Sequence, residues 1–239
     1  MLQTKKLSQF NISPGDAAPI YADPIAFHYT VHLDQVFEEK GDYRGVLNLM
    51  SEATENDGIT FILNNHGGNM DIILPMINML ELTSAHTVAL CTGSQSSAAT
   101  IFAMYCDEIV ALDFAEFMLH ELQCGHFGTM SNVSRDVEST RKRNQRLITE
   151  AYSGFLSPEE IEDVLRGVEV YLDDAEINRR APGRKAWRDQ FLIAKQKAQQ
   201  ELLAAAMQEH SCEDCEDEFT EDLVEEEKPK TVTRRKRKE

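Results

Sequence analysis

Three consecutive pieces decide the fold: the run His86-Thr-Val-Ala-Leu-Cys91, the interruption Thr92-Gly-Ser-Gln-Ser96, and the run Ser97-Ala-Ala-Thr-Ile-Phe-Ala-Met-Tyr-Cys106. The first is short, apolar and partly β-branched, the pattern of a buried strand. The second is made of turn residues and reads as a break. The third reads as a helix with small residues crowding its first turn. A serine at that helix start lies among N–H groups that have no intrahelical partner, on the positive end of the helix dipole. This environment suits a nucleophile whose attack creates an oxyanion. The plainer role for Ser96 or Ser97 is that of a helix N-cap.

Working outward, Ile59-Thr-Phe-Ile-Leu63 is another strand-like run, and it leads into Asn64-Asn-His-Gly67-Gly68-Asn69. Paired glycines at a strand-to-helix junction let the backbone approach a ligand closely and present N–H groups to it. Downstream, Glu116-Phe-Met-Leu-His120 ends an apolar run in a histidine. Between Ser97 and His120 there is room for one helix, one strand at 109–112 and a return. Further on, Glu169-Val-Tyr-Leu-Asp173-Asp174 sets carboxylates beside a short apolar run. Serine, histidine, acid and an amide-presenting loop make a complete acyl-transfer set.

The order of these parts resembles the proteolytic subunit of the Clp protease, within the wider Clp/crotonase superfamily. The resemblance runs over about 26–178. It is carried by Asn64 through Gly68, by Gly93 through Ser97, and by Met118 through His120, in that order and spacing. The chain departs from the family pattern at His66, where the family has proline, and at Ala99, where it has glycine. The resemblance implies Ser97 as nucleophile, His120 as general base, and the N–H groups of Gly68 and Ala98 as oxyanion donors. It gives the acid as Glu169, with Asp173 and Asp174 as alternatives. It also implies that the segments containing Gly67 and Gly125 hold an unfolded polypeptide as an added strand. Finally, it implies a ring homo-oligomer fed by an ATP-driven unfoldase. Two readings of other classes stand beside this one: a crotonase-type acyl-CoA enzyme, and a non-catalytic assembly or scaffold protein of the same fold. A long charged tail on a divergent core would suit a viral prohead protein.

The fold class expected is α/β, built from repeated Clp/crotonase-type superhelical units. Strand–loop–helix order over 59–82, 86–106 and 108–120 gives a mainly parallel sheet. An extended arm is expected at 1–24, the peptidase domain at 25–180, a helical extension at 181–207 and a disordered tail at 208–239. Within the domain, 26–33 reads as a strand and 36–56 as an amphipathic helix. Asn69 caps a helix to Leu82, which Pro75 should kink or delay. Helices also follow at 130–155 and from Ser157-Pro158 to Gly167. Ala181-Pro182-Gly183 punctuates before a last helix, 187–207, with Trp187, Phe191, Ile193, Ala198 and Leu202 roughly on one face.

At 239 residues the chain has room for one such domain with extensions. Its net charge of −17 argues against a nucleic-acid or anionic-membrane binder. From Glu209 to Glu227 there are 11 acidic and no basic residues, and the basic cluster Arg234-Arg-Lys-Arg-Lys238 follows. That composition is one of disorder. Cys91, Cys106 and Cys124 fall in or beside apolar runs, which suits buried reduced thiols of a cytosolic protein. Cys212-x-x-Cys215 with His210 lacks a second pair at zinc-site spacing, so no metal or other cofactor is expected. No apolar run is long enough for a membrane span, no signal peptide is expected, and the location expected is cytoplasmic.

Overall fold

The computed structural model describes residues 26–209. The arm expected at 1–24, the tail from 210 and the His210, Cys212 and Cys215 group lie outside the described residues. In chain order the elements are β1 (His28–Leu33), a 3-10 turn (Lys40–Tyr43), α1 (Arg44–Glu52), β2 (Gly58–Leu63), α2 (Met70–Leu82), β3 (His86–Cys91), β4 (Ser94–Ser96) and α3 (Ala98–Tyr105). They continue as β5 (Glu108–Ala111), β6 (Glu116–Leu119), α4 (Met130–Tyr152), α5 (Pro158–Leu165), β7 (Val170–Asp173) and α6 (Asp174–Glu209). The fold is α/β with a mainly parallel main sheet, as the sequence pattern predicts.

That main sheet has the order β1-β2-β3-β5, with every neighbouring pair parallel. Each connection crosses through helical structure, which parallel pairing requires. Period-2 alternation buries Ile59, Phe61 and Leu63 of β2 on one face. Phe61 meets Phe102 of α3 edge to face, 5.0 Å between ring centroids. Every residue of α3 is buried. Such a helix is apolar all round because sheet, α2 and α4 surround it. On the opposite face of the sheet Ile62 and Leu90 are only half-buried, and Val110 and Leu112 are exposed.

A second sheet has the order β4-β6-β7, with β4 and β6 parallel and β6 and β7 antiparallel. Its first strand corrects the expectation of a plain break at 92–96. Ser94, Gln95 and Ser96 carry no apolar alternation, and backbone pairing holds them instead. Asn65 N–H donates to the Ser94 carbonyl and Ser96 N–H to the Asn65 carbonyl, each at 3.0 Å. The fully buried Gln95 donates its amide to the Leu63 carbonyl at 2.8 Å.

Three further expectations are revised. The helix read over 36–56 begins only at Arg44, because Phe37 is drawn into extended pairing with Gly68. Pro75 does not delay α2, which starts at Met70 under the Asn69 cap. The Ala181-Pro182-Gly183 punctuation does not interrupt α6. Gly183 there is a packing glycine: a β carbon on it would stand 2.7 Å from the Gly154 carbonyl oxygen. Around it, Arg180 bridges to Glu160 and Arg188 to Asp107. Buried Arg184 donates to the carbonyls of Met104, Glu150 and Ser153. These tertiary interactions outweigh one missing helical hydrogen bond.

The chain divides into one compact unit ending at Phe191 and another beginning at Leu192. In the first, Trp187 and Phe191 stack at 4.8 Å. In the second, Ile193, Leu202 and Leu203 are exposed, so the apolar face expected to continue along the helix is not buried there. No helix among the described residues is long and apolar enough to cross a membrane.

Candidate active site

The candidate site forms where the second sheet ends. Ser97 follows β4, His120 follows β6, and Glu169 precedes β7. Ser96 pairs with Met118, and Leu119 pairs with Val170 in antiparallel register. Continuing that register by one residue sets Glu169 across from His120. All three candidates therefore come to one end of a three-stranded sheet in the order serine, histidine, acid. Asp173 pairs with Glu116 at the other end of β7, about 13 Å away at the usual strand rise. Its carboxylate instead accepts from Glu176 N–H and starts α6, and Asp174 is the next residue in that helix.

Ser97 occupies the N-cap position of α3, but its side chain makes no capping bond. Among the described residues its hydroxyl has no hydrogen-bond partner. Its backbone lies at φ 57° and ψ −125°, a conformation that only Ser97 and Phe114 among the described non-glycine residues approach in φ. A non-glycine residue held there stores about 1–3 kcal/mol of strain and persists only where its surroundings over-determine it. The Ser97 N–H donates to the Met118 carbonyl at 2.9 Å, which anchors one side of the turn. Ser96 is buried, so of the two serines only Ser97 is placed to present its hydroxyl.

The two glycines approach from β2. Asn65 holds the loop by accepting from Gly67 N–H at 2.7 Å and donating its amide to the Gln35 carbonyl. Gly67 and Gly68 have φ of 91° and 135°, values that L side chains resist. A β carbon on Gly67 would stand 2.6 Å from the Ser96 carbonyl oxygen and 2.9 Å from Ala98 N. On Gly68 it would stand 2.5 Å from the Phe37 carbonyl oxygen. Phe37 N–H donates to the Gly67 carbonyl and Asn69 N–H to the Phe37 carbonyl, so the Gly68 N–H between them is left over. Neither it nor the Ala98 N–H has an acceptor among the described residues. Two free amides and an uncommitted serine hydroxyl are the components that an oxyanion site needs. Asn65 and Phe37 hold the glycine loop in place, a part that the sequence does not bring forward. Asn65 adjoins the glycine pair and has a local signal, whereas Phe37 is thirty residues away and has none.

His120 is half-buried, and its imidazole has no hydrogen-bond partner among the described residues. Glu169 is exposed, and its Oε2 accepts from the Tyr171 hydroxyl at 2.8 Å. In this conformation the three candidates are thus adjacent by strand order but not joined by hydrogen bonds. Beyond His120, residues 120–127 lack regular structure, and Gly125 lies there exposed. A cavity of about 70 Å³ sits next to this segment, lined by Met70, Leu74, Leu122, Cys124, Asn144 and Leu147 among others. Two larger grooves, of about 430 and 570 Å³, run along α6 and are lined by other residues. Burial pushes the Cys91 thiol up to about 12 and raises that of Cys106 as well, so both are protonated and unreactive at neutral pH; Cys124, expected to be buried with them, is exposed on the irregular segment after His120. The described residues hold no cluster of His, Cys, Asp and Glu suited to a metal ion.

An α/β chain with a parallel main sheet, a strained serine at a strand-to-helix turn and a glycine pair against it is consistent with the Clp/crotonase-type fold. The chain belongs to the Clp protease family, whose sequence model matches residues 38–167. That match takes in Gly67, Gly68, Ser97, Ala98, His120 and Gly125 and ends just short of Glu169. No curated protein matches the chain.

Proposed function

We propose that this chain is a serine-type endopeptidase that cleaves unfolded polypeptides, with Ser97 as nucleophile, His120 as general base and Glu169 as the acid that orients it. The observation that carries the reading is Ser97 itself: strained in its backbone, unbonded in its hydroxyl and flanked by the free amides of Gly68 and Ala98. Ser97 Oγ attacks the scissile carbonyl carbon and its proton passes to His120. The carbonyl oxygen takes the negative charge between the two amides. Collapse breaks the C–N bond, and the amine leaves with the proton from His120. Water then repeats the sequence on the acyl-enzyme and frees Ser97. Glu169 meets His120 on substrate binding, since catalytic hydrogen bonds commonly tighten from a looser resting geometry, and its second carboxylate oxygen leaves the Tyr171 bond free to persist. The segments around Gly67 and Gly125 would hold the substrate main chain as an added strand, with little sequence preference.

Family membership also supports a ring homo-oligomer that encloses the sites; to this we add an ATP-driven unfoldase that feeds the ring and a cytoplasmic location. The exposed apolar side chains of Val110, Leu112, Phe114 and Phe127 are in keeping with surfaces that self-assembly covers. One observation favours a second reading, a non-catalytic assembly protein of the same fold: the hydrogen bonds of a working triad are not made, and Glu169 is engaged elsewhere. A fluorophosphonate probe decides between them. Labelling of the full chain that is lost in Ser97→Ala and kept in Ser96→Ala, together with cleavage of an unfolded polypeptide, is the expected result. A folded chain that neither labels nor cleaves supports the assembly protein instead.

A further inference from the structure

The fully buried Tyr152 of α4 hydrogen-bonds to Thr100 of α3 at 2.8 Å, and the Thr100 hydroxyl is 2.7 Å from the Ser97 carbonyl oxygen. A carbonyl can only accept, so the single hydroxyl proton of Thr100 is donated to Ser97 and Tyr152 must donate to Thr100. The reverse direction would set two lone pairs face to face and leave a buried phenol proton without an acceptor. Burial raises the ionisation of Tyr152 above its ordinary range, so it is a donor at neutral pH.

The Ser97 carbonyl is already met by the amides of Thr100 at 3.0 Å and Ile101 at 3.4 Å. Helix formation alone therefore satisfies it, and the hydroxyl relay is an added constraint. Its consequence follows from peptide planarity. The Ser97 C=O and the Ala98 N–H belong to one rigid plane and point in opposite directions. Fixing the carbonyl toward Thr100 aims the Ala98 N–H away from the helix, on the side where Gly67 and the Ser97 side chain lie. The relay grips the residue whose φ of 57° most needs holding.

We infer that Thr100 and Tyr152 are positioning residues that aim the Ala98 amide at the oxyanion through the Ser97 carbonyl. The inference rests on the reading of Ser97 as the nucleophile. Because it concerns transition-state stabilisation, it affects turnover rather than substrate affinity.

The test compares full-length wild type with Thr100→Val, Thr100→Ser and Tyr152→Phe, measuring kcat and KM for peptide cleavage and the rate of fluorophosphonate labelling. Removing an oxyanion donor costs about 10²–10³ in rate; a donor that is misaimed rather than removed should cost on the order of tenfold. Thr100→Val is expected to lower kcat and labelling by about that factor, with KM little changed. Thr100→Ser, which keeps the hydroxyl, should restore most of the rate. Tyr152→Phe should fall between them, and the Thr100→Val/Tyr152→Phe double variant should be no slower than Thr100→Val. A folded Thr100→Val with wild-type kcat overturns the inference, as does a loss in Thr100→Ser equal to that in Thr100→Val. If Thr100→Val does not fold, Tyr152→Phe against Thr100→Ser carries the same decision, and wild-type kcat in a folded Tyr152→Phe overturns the relay. A wild type that never labels at Ser97 removes the peptidase reading and the inference together, whereas a reactive wild type with indifferent variants removes the inference alone.

Discussion

Gly67 lies so close to Ser97 that a β carbon on the glycine would stand 2.9 Å from the β carbon of the serine. Backbone from β2 and backbone from the β4–α3 turn touch here with no side chain between them. The Gly67 φ of 91° closes the same position to other residues.

Gly67→Ala should therefore push the β4–α3 turn out of place, lowering stability by about 1–3 kcal/mol and labelling of Ser97 by more than the loss of folded protein explains. Gly45→Ala is the contrasting case. It is a helical glycine with nothing within 4 Å of the added carbon, so it should stabilise by about 0.5–1 kcal/mol. Urea titrations of both variants, with labelling on the folded fraction, check the pair. Equal effects at the two glycines would contradict the close approach.

Pro182 and Gly183 are neighbours inside α6 with opposite expected behaviour. Pro182→Ala restores a helical N–H at an exposed position and should stabilise, by up to about 3 kcal/mol. Gly183→Ala puts a β carbon 2.7 Å from the Gly154 oxygen and should destabilise by about 1–3 kcal/mol. Thermal denaturation of each single variant reads the sign directly, and a stabilising Gly183→Ala would refute the packing role.

Arg180 joins α5 to α6 by bonding Glu160 at 2.7 Å and Glu176 at 2.9 Å. Hydrogen bonds from Arg179 and then Arg180 hold Glu176 down to about 2, and the bond from Arg180 lowers Glu160. Folded-state values below the unfolded ones mean that these carboxylates stabilise the fold above about pH 4.3 and lose that contribution as the pH falls toward their folded values. Arg180→Gln should cost about 1–2 kcal/mol at pH 7, and its deficit against wild type should shrink between about pH 4 and 2. Chemical denaturation at pH 7, 4 and 3 tests this; a deficit that does not change with pH would mean that Arg180 acts by packing alone.

Asn178 does for the edge strand β5 what another strand would do. Its side-chain oxygen accepts from Ala111 N–H at 2.9 Å and its amide donates to the Ala111 carbonyl at 2.8 Å. Asn178→Ala strips both and should lower stability by about 1–3 kcal/mol. Asn178→Asp keeps only the acceptor and should lose nearly as much. Hydrogen exchange at the Ala111 amide is the local readout, expected to quicken in both variants; unchanged exchange would exclude the strand-capping role.

Much of this fold is written in local pattern. The strands at 58–63 and 86–91, the Asn69 cap and the Ser157 capping box depend on periodicity and capping chemistry, which act over a few residues. Chain order alone also brought forward Gly68, Ser97 and His120 as parts of one site, and the family match includes them all. What the sequence could not decide involves partners far along the chain. Ser94–Ser96 is a strand because Asn65 and Met118 pair with it, not because of its own residues. Gly183 looks like a stop and is a close packing point, since only the fold reveals Gly154 against it. Glu169 and Asp173 are both nearby acids in the sequence, with Glu169 favoured only by the family resemblance, and the antiparallel register of β7 separates them to opposite ends of a strand. Phe37, Thr100 and Tyr152 have no local mark of function. The bonds that bring in Phe37 and Tyr152 span 30 and 52 residues, and such bonds exist only once the core has closed around them.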